Sequence, residues 1–121
     1  MLRATASLFA ACAVGMGAFG AHGLKQHFLD KPAAGGWWET ATLYLLVHAI
    51  AVAALASTSR AAGYCMLIGA FIFSGTLYAM ALGAPTWLGA ITPLGGTALI
   101  LGWLVLAWDS FRKKTEGKAG Q

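Results

Sequence analysis

The chain has 121 residues, enough for one domain, of which 59% are apolar and only 10% charged, against roughly a quarter charged in soluble domains. That balance excludes an ordinary soluble fold and places the chain in a bilayer. The net charge of +4 comes mostly from Arg112, Lys113, Lys114 and Lys118, a basic tail without interleaved aromatic residues. Such a tail suits anionic headgroups and argues against nucleic acid.

A spanning helix needs about 20 predominantly apolar residues. Four segments meet that requirement: Ala4–Leu24, Thr40–Ser57, Ala61–Leu82 and Leu88–Trp108, each free of Asp, Glu, Lys and Arg. The expected fold is therefore all-α, an integral membrane four-helix bundle filling one domain, with residues 109–121 as a basic cytoplasmic tail. Cys12 and Cys65 both fall inside apolar segments, which argues against a disulfide framework.

The first segment ends in Gly15-Met-Gly-Ala-Phe-Gly-Ala-His-Gly-Leu-Lys25, where a lone lipid-facing helix would carry Leu and Ile. Gly17 and Ala21 form a small-xxx-small pair suited to close packing, with Gly20 beside them. A cleaved signal peptide ending near Ala18-Phe19-Gly20 is the alternative, and the packing glycines outweigh it. The connection Lys25–Trp38 is the long one. It offers a helical turn over Gln26–Lys31, stopped before Pro32, and a flexible re-entry at Gly35-Gly36. Trp37 and Trp38 then read as interfacial anchors, as do Trp87, Trp103 and Trp108. The remaining connections are short, so their helices pack as antiparallel hairpins. In the last segment, Thr92-Pro93-Leu94-Gly95-Gly96 is expected to kink or unwind, because Pro93 removes a backbone donor and restricts Thr92.

Lys and Arg counts set the orientation. With four spans, Arg3, Arg60, Arg112, Lys113, Lys114 and Lys118 share one side and Lys25 and Lys31 the other. Both termini are therefore expected in the cytoplasm.

On this topology every helix brings a polar residue to the outer half. Tyr44, Tyr78 and Thr92 share one level, His48 and Ser74 the next, and His22 lies near the outer surface. Ala11, Gly15, Ala18 and His22 share a face of the first helix; Ala41, Tyr44, His48 and Ala51 do so on the second; Ala70, Ser74, Tyr78 and Ala81 on the third. Small residues around polar ones mark faces turned toward other helices, with Gly75, Gly95 and Gly96 as further packing positions. His22, Tyr44, His48, Ser74, Tyr78 and Thr92 form the candidate binding cluster.

An ionisable group at membrane depth is a functional candidate by default. For His48 the functional role is proton relay or ligand; the structural role is a hydrogen bond between helices, to Ser74 or Tyr78, and it carries more weight. His22 reaches interfacial water readily, which favours a structural role there too. Glu39 suits the positive end of the second helix dipole, the alternative being an acid acting with His27 or His22. Neither Cys-x-x-Cys-His nor His-Glu-x-x-His is present, and the two membrane histidines differ in depth by about 8–10 Å from helical rise. No metal, haem or other cofactor is expected, and no catalytic residue.

Taken in order, Gly17-Ala-Phe-Gly-Ala-His22-Gly-Leu, Trp38-x-Thr-Ala-x-x-Tyr44-x-x-x-His48-Ala, Phe73-Ser-Gly-x-Leu-Tyr78, and Thr92-Pro-x-Gly-Gly with Gly102-Trp103 resemble the domain-of-unknown-function 423 family. These are small bacterial inner-membrane proteins of the YgdD type, and the resemblance covers about residues 4–108. It implies four retained helices and no established enzymatic activity. Its pattern maps onto His22, Thr40, Tyr44, His48, Ser74, Tyr78, Thr92 and Pro93. The chain departs at Leu45, where a polar Gln often follows the tyrosine, which makes an outer polar site poorer. The reading is a non-enzymatic protein of membrane organisation, integrity or complex assembly, in contact with the bilayer and with other membrane proteins or a second copy. The alternative is a small carrier or lipid-binding protein with an outward-facing polar pocket.

Overall fold

The computed structural model describes residues 1–121, and apart from short turns all of them are helical. The order is α1 (Leu2–His22), α2 (Lys25–Asp30), α3 (Pro32–Leu55), α4 (Arg60–Ala81), a 3-10 turn (Thr86–Ala90) and α5 (Thr92–Ala119). α1, α3, α4 and the segment containing α5 are each long and apolar enough to cross a membrane, so the protein is an integral membrane four-helix bundle. One end carries both termini and the α3–α4 turn. The other carries α2 and the 3-10 turn.

α4 is the axis of the bundle, packed along α3 on one side and α5 on the other, while α1 lies mainly along α3. Its buried set runs the whole length, from Ala62 through Met66, Gly69, Ala70 and Ser74 to Tyr78 and Ala81. The expected face Ala70, Ser74, Tyr78, Ala81 is therefore an internal one. At its start Ser59 caps the helix, its side chain accepting from the Ala62 amide, and Lys113 Nζ donates to the Thr58 carbonyl across the turn.

Glycine sets the α4–α5 distance. A Cβ on Gly95 would sit 2.5 Å from the Phe73 amide nitrogen and 2.8 Å from the Gly69 carbonyl; one on Gly69 would sit 2.9 Å from Gly95 O. Both obstacles are backbone, so neither can swing aside, and the helices meet main chain to main chain as small residues permit in membranes. Gly102 plays a lesser part, against the flexible side chain of Met66. Gly96 makes only ordinary contact with the Phe73 ring, and beyond Gly75 there is nothing within 4 Å. Gly75 is thus not a packing glycine: it faces outward beside a cleft.

On α1 the packed face differs from the expected one. Leu2, Ala6, Ala13 and Gly20 are buried, whereas Ala11, Gly15, Ala18, Ala21 and His22 are exposed. Small residues occur on every side of α1, so periodicity does not choose between faces. The indole of Trp38 does, because it occupies the place of a side chain at Gly20, only 2.3 Å from where a Cβ would stand.

Two breaks fall elsewhere than expected. α3 begins at Pro32, which needs no amide donor in a first turn, and runs unbroken through Gly35 and Gly36. Gly35 packs under Phe28 of α2, where a Cβ would lie 3.3 Å from the Phe28 Cβ. The Gly-Gly pair is helix, not a flexible re-entry. Pro93 likewise sits in the first turn of α5 and starts that helix instead of kinking it; the irregular backbone precedes it, at Thr86–Ile91.

Replacing Gly95 by Ala is expected to destabilise the bundle by about 1–3 kcal/mol, the usual cost of overpacking. Gly75→Ala should stay within about 0.5 kcal/mol of the parent, as a change at an open position does. Titration of the purified protein from mild detergent into sodium dodecyl sulfate measures both.

Candidate functional site

Hydrocarbon offers polar groups no partners, so a polar side chain inside the bundle must find one in the chain. Every buried side-chain nitrogen and oxygen does. The bonds fall into separate groups, one at each helix contact.

Between α1, α3 and α4 lies Trp38, 2% exposed. Its Nε1–H donates to the Met16 carbonyl at 2.8 Å, and its ring meets Tyr78 edge-on at 4.6 Å. Thr42 Oγ1 donates to the Trp38 carbonyl, which uses its one proton, so the Tyr78 hydroxyl donates to Thr42 at 2.8 Å. Trp38 is thus a core residue and not an interfacial anchor. Nearby, Ser74 Oγ donates to the Ala41 carbonyl at 2.8 Å, tying α4 to α3.

Between α3 and α5 lies His48, buried to 7% exposure. Nδ1 is 2.7 Å from the Tyr44 carbonyl, one turn earlier, and Nε2 is 3.0 Å from Trp103 Nε1. An indole N–H can only donate and a carbonyl can only accept. Nε2 therefore carries the lone pair and Nδ1 the proton. Both nitrogens are occupied in this tautomer, leaving neither for a metal or a moving proton. The bonding partner is Trp103, not Ser74 or Tyr78, and Trp103 has a role beyond the membrane belt. Tyr44 points outward at 40% exposure, its ring stacked on Phe73 at 4.5 Å.

Between α4 and α5, Thr76 and Thr92 share a hydrogen bond of 2.7 Å between their hydroxyls. At the same end of the bundle His27 of α2 donates from Nε2 to the Ala81 carbonyl at 2.8 Å, pinning α2 onto the end of α4. His22 is exposed at the last position of α1, and its side chain makes no hydrogen bond within the chain.

The six residues of the candidate cluster therefore do not line one pocket. Ser74 and Tyr78 border a cleft between α1 and α4. Thr92 borders an open recess with Trp37 and Phe73. His48 pairs with Trp103, Tyr44 faces out, and His22 stands alone. No group of three or more His, Cys, Asp or Glu side chains converges anywhere in the chain. Sequence reasoning missed Thr42, Thr76 and the partners of His27 and Trp103. Thr42 lies two residues from Tyr44, and Thr76 two from Ser74 and from Tyr78, so each stands off the helix face that carried the selected residues, and the pattern gave no signal for them.

The arrangement defines a class: a polytopic α-helical membrane protein whose internal polar groups join helices. The model for "Protein of unknown function (DUF423)" matches residues 16–96, and the chain belongs to that family. It is 43% identical over 107 residues to "UPF0382 membrane protein" of Staphylococcus epidermidis, covering 83% of this chain and 86% of that one. It is 41% identical over 109 residues to the protein of the same name from Haemophilus influenzae, covering 84% and 86%. To "UPF0382 membrane protein C1782.12c" of Schizosaccharomyces pombe it is 34% identical over 111 residues, covering 84% and 93%. No solved structure matches the chain.

Trp103→Phe, which keeps an aromatic ring and removes the donor, is expected to cost about 0.6–1.7 kcal/mol, the range found for hydrogen bonds inside a membrane protein. Nitrogen-15 NMR of the ring-labelled protein should show His48 protonated at Nδ1 and bare at Nε2, with the Nε2 signal moving in the Trp103 variant.

Proposed function

We propose that this protein is a non-enzymatic component of a bacterial inner membrane, acting in membrane organisation, integrity or the assembly of membrane complexes. The observation that carries this reading is the saturation of its buried polar side chains by partners within the chain. A carrier or enzyme working through His48 needs a ring nitrogen free to meet substrate or proton, and both are bonded. The relatives' names, which say membrane protein and no more, are compatible with it.

Both termini face the cytoplasm in this proposal. Arg3, Arg60, Arg112, Lys113, Lys114 and Lys118 gather at the end with the termini, against Lys25 and Lys31 at the other. That asymmetry is the pattern of the positive-inside rule. The immediate partners are the lipid bilayer and other membrane proteins or a second copy.

Cells lacking the protein are expected to admit a dye that intact membranes exclude. His48→Gln supplies an acceptor for Trp103 and a donor for the Tyr44 carbonyl, so it should restore exclusion as well as the parent. Gly95→Leu, which the α4–α5 contact does not admit, should fail. If His48→Gln reaches normal membrane levels and still fails, histidine chemistry is required and the proposal falls. It falls too if loss of the protein leaves exclusion unchanged. A reporter fused after Gln121 should be active only in the cytoplasm; activity on the other side overturns the orientation.

A further inference from the structure

α1 leans on α3 and scarcely reaches α4. The gap between α1 and α4 is a cleft of about 250 Å³, walled by these two helices and floored by Leu45 of α3. Aromatic pairs stand at its two ends. Phe9 and Phe71 meet with centroids 6.3 Å apart at one end, and Tyr78 rests against Trp38 at the other. Each wall runs seven residue steps, Phe9 to Met16 and Phe71 to Tyr78, or about 10 Å at 1.5 Å per residue. A helix of that length with its side chains would fill roughly 900 Å³, several times the cleft.

That volume selects the occupant. A helix with side chains is about 10–12 Å across and does not enter. A single alkyl chain, whose carbons sit about 4 Å from the atoms they touch, does. The chemistry of the walls agrees. Ser74 and Tyr78 are the polar residues other than Cys12 that border the cleft, and both have given their protons elsewhere, to the Ala41 carbonyl and to Thr42. The walls thus present no free strong donor to a polar ligand, and apolar cavities of this kind take apolar guests in preference to water. The way in is lateral, past Gly75, beyond whose Cα no atom lies within 4 Å.

We propose that the α1–α4 cleft is a binding site for one acyl chain of a bilayer phospholipid, entered sideways at Gly75. The proposal holds whether or not the protein organises membranes.

The test is photocrosslinking of the full chain, reconstituted in phosphatidylcholine vesicles doped with a phospholipid carrying a mid-chain diazirine. Adducts mapped by peptide mass spectrometry should concentrate on Cys12, Met16, Ala70 and Phe71, above the background set by the lipid-facing Ile100 and Leu104 of α5. Gly75→Leu fills the entrance from an open position and should reduce the cleft adducts to that background. Gly15→Leu, equally open but on the outward face of α1, should leave them unchanged. Circular dichroism melts test whether both variants fold; should Gly75→Leu fail there, Gly75→Val takes its place. Adducts spread evenly over all lipid-facing residues overturn the site. So does an undiminished yield in the folded entrance variant.

Discussion

Hydrocarbon supplies no hydrogen bonds, and the interior of this protein follows from that constraint. Backbone groups are answered by helix. Side chains need partners across helix contacts, and each of the three principal contacts holds at least one: Trp38 to Met16 between α3 and α1, Ser74 to Ala41 between α4 and α3, Thr76 to Thr92 between α4 and α5. His48 and Trp103 make the link from α3 to α5, which otherwise lie on opposite sides of α4. These bonds add modest energy individually. Their larger effect is on register, since sliding any helix by a turn would strand a polar group in an apolar layer.

Packing of small residues supplies what a hydrophobic drive cannot, because lipid tails are as apolar as leucine. The α4–α5 contact at Gly69 and Gly95 brings main chains together and gains dispersion over a long interface. The α1–α3 contact works differently, through a large residue seated in the gap left by Gly20. One bundle thus uses glycine both to let backbones touch and to make room for an indole.

The number of helices, their membrane character and the family were legible in the sequence, because long uncharged apolar runs and ordered motifs are strong signals. Helix faces were legible only on α4, where polar and small residues repeat along one side. On α1 nearly every side is small or apolar, so the pattern did not distinguish Ala6-Ala13-Gly20 from Ala11-Gly15-Ala18. The stop of the short helix before Pro32 was read correctly, but Pro93 looked like a break because proline is destabilising inside a helix; position within the first turn reverses that meaning, and it depends on where the preceding chain turns. Single polar residues at membrane depth were visible in the sequence. Their grouping was not visible, since depth along a helix says nothing of which neighbour a side chain faces. Trp103 and Trp38 show the same limit: an aromatic residue near a span end has the belt as its default, and only a partner across the bundle reveals otherwise.

The seat of Trp38 has a consequence for how the chain is built. Ribosomes deliver α1 first, and its principal neighbour is α3, not the short α2 that follows it. Until Trp38 emerges, the notch at Gly20 is empty and the Met16 carbonyl lacks its indole donor. α1 therefore waits in the membrane as an unfinished half of an interface. Its docking is timed by the synthesis of the α2 segment and the first turns of α3, and the arrival of one tryptophan side chain completes it.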